Sequence, residues 1–153
     1  MKPAVQAALD DVSRAIIEQL QEDGRRPYAA IGKAVGLSEA AVRQRVQKLV
    51  DGGVVQIVGV TDPSQLGFAR QAMIGVEISG DLQEVADRLA AMHDVDYVVV
   101  TAGSFDVLAE VVVTDDAHLL DLVSRIRAIP GVGRTESFLY LKLVKQTYNW
   151  GAR

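Results

Sequence analysis

The apolar residues of this chain change their period once, and that change limits the fold more than any other feature. Leu9, Val12, Ile16 and Leu20 recur at steps of three and four, and so do Val42, Val46 and Leu49. Those steps make one stripe on a helix. From residue 72 onward, Ala72, Ile74, Val76 and Ile78 alternate with Met73, Gly75 and Glu77, the period of a strand. A helical first third and a mixed remainder cannot share one layer arrangement, so two cores are expected. A length of 153 residues suits two small domains. We place a DNA-binding domain at 1–60, a turn-rich linker at 61–67 (TDPSQLG) and an α+β domain at 68–153.

Within the first 60 residues the punctuation fits three helices. Gly24 follows the first stripe as a stop. Pro27 suits the opening turn of a second helix, with Ala30, Ile31, Ala34 and Val35 as its inner face. Gly36-Leu37 makes a sharp turn. Ser38 is a good N-cap for a third helix, and Glu39 puts negative charge at its positive end. Gly52-Gly53 ends that helix, and Val54 to Val58 reads as a short strand, the wing of a winged helix-turn-helix.

Two helices joined by a tight glycine turn present the second to the major groove. At 100° per residue, the face opposite Val42, Val46 and Leu49 holds Ala40, Gln44, Gln47 and Lys48, flanked by Arg43 and Ala41. Arginine and glutamine can pair in bidentate fashion with guanine and adenine edges. Arg45 lies nearer the core, where a phosphate contact and an internal ion pair are both open to it. Arg25, Arg26 and Tyr28 precede or open the second helix and are phosphate candidates. The expected DNA-contact set is Arg25, Tyr28, Ser38, Ala40, Arg43, Gln44, Arg45, Gln47 and Lys48.

The net charge of −4 does not oppose this, because the charge is unevenly spread. Residues 1–67 carry eight basic and eight acidic side chains, and the remainder eight and twelve. From Arg25 to Lys48 there are six basic residues against Glu39 alone. A locally basic stretch in an acidic chain fits a protein that touches phosphate with one face. A generic three-helix bundle with a solvated basic face is the alternative.

After the linker the elements read β-α-β-β-α-β. The helical stripes are Leu82, Val85, Leu89, Met92 and Leu119, Leu122, Val123, Ile126. The later strands are Tyr97 to Thr101, Phe105 to Val113 and Thr135 to Val144. This is the split β-α-β order of ferredoxin-like folds. Helices cover one face of such a sheet, yet the strands carry bulky apolar residues on both. An uncovered apolar face is rare in monomers, so two sheets meeting in a dimer are expected. Dimers also match palindromic double-stranded DNA.

No catalytic constellation appears: there is no phosphate loop, nucleophile elbow or metal-ligand cluster, and no cysteine. We expect no enzyme, metal or cofactor. His93 and His118 read as surface residues at helix ends. No apolar run approaches the ~20 residues of a membrane span. The opening MKPAVQAALDD lacks the apolar core of a signal peptide, so a cytoplasmic protein is expected. Thr101 to Asp106 (TAGSFD) is a hairpin connection with a carboxylate, two hydroxyls and accessible backbone N–H groups. Such a set could hold an α-amino acid, and it could equally be an ordinary turn capped by Asp106.

Taken together, Leu9-Asp10 with Ile16 and Leu20, Gly36-Leu37-Ser38, Arg45-Val46 with Leu49 and Gly53, Gly103-Ser104-Phe105-Asp106, Pro130-Gly131-Val132 and Val144-Lys145 resemble the Lrp/AsnC, or feast/famine, family. The chain departs from many members at Arg26-Pro27-Tyr28, where a small polar cap is usual. The resemblance implies a winged helix-turn-helix on a ligand-binding ferredoxin-like (RAM-type) domain, and homodimers assembling to tetramers, octamers or higher forms. It also implies a small effector, commonly an amino acid, near the loop. By position Val100, Thr101, Gly103, Ser104, Phe105 and Asp106 would line that pocket, with Phe138 and Tyr140 adding to it. An effector-independent architectural DNA binder is the competing reading.

Overall fold

Local polar groups set the ends of the three N-terminal helices. In the computed structural model, which describes residues 9–148, α1 spans Asp11–Glu22, α2 Tyr28–Val35 and α3 Glu39–Asp51. The side chain of Asp10 accepts from Ser13 N at 2.8 Å and starts α1. Asp23 closes that helix, one residue before the expected Gly24. Pro27 caps α2 without a side-chain hydrogen bond. Gly36 ends α2 in the left-handed region at φ 74°, a conformation that costs a side-chain-bearing residue ~1–2 kcal/mol. That residue turns the chain into α3, where Ser38 Oγ accepts from Ala41 N at 3.2 Å.

Ile16, Leu20, Ile31, Val42 and Val46 form the small core between these helices. The inner face of α2 differs from expectation: Ile31 and Gly32 are buried, while Ala30 and Ala34 are exposed. An eight-residue helix held from one side buries a single turn-to-turn line. The expected strand at Val54–Val58 is also absent. The N–H groups of Val54 and Val55 both donate to Leu49 O, which winds the chain off α3. No ladder partner lies beside residues 54–60 among the described residues, and a strand needs one. Val54, Ile57, Val58 and Val60 are left exposed.

The second unit runs from Thr61 to Val144, while residues 145–148 group with the N-terminal helices rather than with the α+β domain. The linker is partly ordered, since Pro63–Leu66 forms a 3₁₀ turn capped by Asp62. Beyond it come β1 (Arg70–Ile78), α4 (Leu82–Ala90), β2 (Val95–Val100), β3 (Val107–Val113), α5 (Asp116–Arg127) and β4 (Val132–Leu139). The sheet order is β2-β3-β1-β4, with antiparallel neighbours throughout. Both helices pack on one face. There Ala72, Ile74, Val76, Val107, Val111 and Val113 meet Val85, Leu89, Leu122 and Ile126.

Two strand ends moved for the same physical reason. β3 begins at Val107, not Phe105, because Phe105 and Asp106 build the preceding loop. β4 stops at Leu139, five residues short of the expected Val144. Its partner β1 begins at Arg70, so after the bond from Tyr140 N to Gln71 O there is no edge left to pair with. Leu141 and Val144 are consequently 90% and 86% exposed.

Candidate nucleic-acid interface and effector loop

The outward face of α3 is polar and only partly committed. Ala40, Gln44, Gln47 and Lys48 are exposed, as the helical wheel requires. Gln47 Nε2 donates to Asp51 Oδ1 at 2.8 Å, a contact within the helix. Arg43 pairs with Glu39 at 2.8 Å and stacks its guanidinium 5.2 Å from the centre of the Tyr28 ring. Exposed i,i+4 pairs of this type contribute only ~0.3–0.5 kcal/mol, so phosphate can displace them. Gln44 and Lys48 make no hydrogen bond or ion pair within the described residues.

Arg45 faces the other way. Its Nη1 sits 2.7 Å from Asp10 Oδ2, 3.1 Å from Asp10 Oδ1 and 3.2 Å from Ser13 Oγ. Of the two roles open to it from sequence, the structure displays the internal ion pair. The hydrogen bonds from Ser13, and then the guanidinium of Arg45, pull the Asp10 carboxyl down to about 2. Arg26 is likewise engaged, with Gln19 and Glu22. Of the two arginines before α2, only the exposed Arg25 has an uncommitted side chain. Ser38 spends its oxygen on the helix cap, and Tyr28 packs against the small core.

In the α+β domain the segment 101–106 closes on itself. Thr101 N donates to Asp106 O at 2.9 Å, and the Thr101 hydroxyl donates to Phe105 O. Asp106 N donates to Val76 O at 3.0 Å, while Asp106 Oδ2 accepts from Ile78 N at 2.7 Å. That carboxylate thus bridges the register shift of β1 between Val76 and Ile78. One of its oxygens and one of the two loop hydroxyls hold the hairpin. Ala102, Gly103 and Ser104 are exposed at the tip, and Val100 precedes them at 51% exposure. Gly103 has no positive φ, and a Cβ there would meet open space.

Phe105 leaves the tip and lies flat on β1. A Cβ at Gly75 would fall 2.5 Å from its ring, so glycine is what admits it. Phe138 meets the ring edge-on at 6.1 Å, and the Arg134 guanidinium lies 5.2 Å from its centre. Arg134 also approaches Glu77 at 3.3 Å and Glu136 at 3.8 Å. Tyr140 points its hydroxyl at Glu110 Oε1, 2.9 Å away. Burial first, and then that carboxylate, push the phenol up to about 12. Sequence reasoning missed Gly75, Glu77, Glu110 and Arg134. Only Gly75 carried a signal, since glycine inside a strand marks a close approach.

The histidines split. His93 is exposed, whereas His118 is half-buried with Nε2 3.4 Å from Asp94 Oδ1. Asp94 is held below the usual carboxylate range by Arg125 first and His118 second. No group of His, Asp or Glu able to hold a metal ion exists among the described residues. None of their helices is long and apolar enough to cross a membrane.

Residues 9–50 match the AsnC-type helix-turn-helix domain, and residues 71–150 match the Lrp/AsnC ligand binding domain. The HTH-type transcriptional regulator FL11 of Pyrococcus horikoshii is 33% identical over 91% of this chain and 93% of its own length. The leucine response regulatory protein LrpA of Mycobacterium tuberculosis superposes with a TM-score of 0.81 at 30% identity, over 90% of this chain and 96% of that one. The regulator NMB0573 of Neisseria meningitidis, solved as its L-Met complex, gives a TM-score of 0.81 at 28% identity, over 91% and 94%. With both domains matched in order and relatives covered almost end to end, the chain belongs to the Lrp/AsnC family of HTH-type transcriptional regulators.

Proposed function

We propose that this regulator works in the cytoplasm as a homodimer that reads palindromic double-stranded DNA with two copies of α3. The observation that carries this reading is the outward face of α3, where Gln44 and Lys48 are exposed and uncommitted. Gln44 has the amide needed for a bidentate adenine contact. Arg43 and Gln47 need break only weak local pairs to join it. Lys48 and Arg25 reach phosphate, Ala40 lets the helix backbone come close, and Tyr28 and Ser38 hold the frame behind them. Arg45 belongs with that frame.

The dimer reading rests on the sheet face opposite α4 and α5. The cross-strand registers put Met73, Val99, Leu108, Val112 and Phe138 there together. A second copy covers such a face by isologous pairing. Tetramers and higher forms would build on that dimer. Between assembled copies, a small amino acid is the effector that the loop from Val100 to Asp106 suits, beside Phe138 and Tyr140. The exposed N–H groups of the tip would receive its carboxylate, with Ser104 Oγ and the second oxygen of Asp106 left for its ammonium. The methionine-bound relative supports this class of ligand without naming the one used here.

A thermal-shift screen of the amino acids, followed by footprinting on the gene's own upstream region with and without the hits, tests the whole reading. Ligand at a hundred times its dissociation constant should add ~2.7 kcal/mol of stability. Protection of a palindromic site that responds to the hit is the expected outcome. Broad protection indifferent to every amino acid would mark an architectural DNA binder instead.

A further inference from the structure

The open sheet face is apolar across its middle except at one position. Glu110 on β3 has Met73 of β1 opposite it on one side and Tyr97 of β2 on the other. Leu108 and Val112 flank it along its own strand. The carboxylate is half-buried, and Tyr140 supplies its one side-chain hydrogen bond among the described residues. The other charges of this face, Glu77, Glu136 and Arg134, gather around Phe105 and satisfy one another. No cation therefore faces Glu110.

An unpaired carboxylate on a face to be covered restricts what can cover it. An unrelated apolar surface would strip water from Glu110 at a cost, which a single neutral donor offsets only in part. Isologous pairing gives each Glu110 its own Tyr140 and brings two such pairs into one interface. We propose that the Glu110–Tyr140 pair is a specificity element of the sheet-to-sheet dimer, one that weakens the dimer at neutral pH and makes it tighten as pH falls. This rests on the dimer reading above.

The sign follows from burial. Covering the face disfavours the charged carboxylate, so the dimer binds more protons than two monomers do. Association then strengthens as pH falls through the carboxylate range. Tyr140 stays neutral throughout, because its phenol is pushed up to about 12. It remains a donor at every pH of interest.

Sedimentation of the full-length chain over a dilution series at pH 8 and pH 5 reads this directly. Wild type should dimerise more tightly at pH 5. Glu110→Gln keeps an acceptor for Tyr140 without the charge. It should tighten the dimer roughly tenfold or more at pH 8 and lose most of the pH dependence. Tyr140→Phe leaves the carboxylate without its donor and should loosen the dimer by roughly tenfold at pH 8. Melting curves by circular dichroism control for folding of both variants. Equal dissociation constants and equal pH dependence in all three proteins would overturn the inference while leaving the dimer standing. A wild-type chain that stays monomeric at every concentration would overturn the dimer itself.

Discussion

The recognition helix and the effector loop are both polar, but they spend their polar groups differently. On α3 the backbone satisfies itself, so side chains on the outer face are free to meet another molecule. Gln44 and Lys48 are in that state. In the loop from Thr101 to Asp106 the backbone has no such ladder, and side chains do part of the holding. Asp106 serves Ile78 N, and Thr101 serves Phe105 O. A site on a helix can therefore change its residues at little cost to the fold, whereas a site on this loop cannot.

The comparison breaks most visibly through the cores beneath the two sites. Ile16→Ala removes a fully buried side chain from the small helical core and should cost about 2–5 kcal/mol. We expect the helical unit to melt first and DNA binding to disappear, with dimerisation through the sheet retained. A single unchanged melting transition in calorimetry would mean that the two units do not fold as separate bodies.

Smaller changes sharpen the contrast between the sites. Asp106→Ala leaves Ile78 N without its partner, so it should lower stability by about 1–3 kcal/mol and also abolish the ligand response. Gln44→Ala should leave the melting temperature unchanged and weaken specific DNA binding by about 1–3 kcal/mol. If Asp106→Ala melts like wild type, the loop is not held as the structure shows it.

Salt titration separates Arg45 from Lys48. Lys48→Gln should reduce the slope of log affinity against log salt by about 0.9, the signature of one lost phosphate contact. Arg45→Gln should lower affinity with the slope intact, and Asp10→Asn should reproduce it without adding to it. The smallest effect is in acid. Because the Asp10 carboxyl sits at about 2 in the folded chain, its contribution is present above its unfolded value and is lost as pH falls from ~4 toward 2. Wild type should lose stability through that window, and Asp10→Asn should lose less.

The order of elements was legible because apolar period and capping residues act locally. Asp10, Gly36 and Ser38 announce their roles within three or four residues of themselves. The outer face of α3 followed from the helical repeat alone. Strand ends were not legible, since Val54–Val58 and the stretch after Leu139 carry strand-like residues with no partner beside them. Side-chain commitments were not legible either. Asp10 and Arg45 meet across 35 positions of sequence, and Asp106 reaches Ile78 across 28. Pattern cannot show which of several polar side chains the fold itself will use.

The segment from Val54 to Val60 has a consequence for the protein's lifetime in a cell. Proteases bind their substrates as extended strands, and exposed segments of this type are where chains are nicked. The sequence here is apolar, accessible and tied to no ladder, and it joins the part that grips DNA to the part that senses. One clip there uncouples the two activities at a stroke, releasing a sensor that can still bind its partner and no longer hold a promoter. Turnover of this regulator would then act less like removal than like conversion, leaving behind subunits that poison the intact pairs they join.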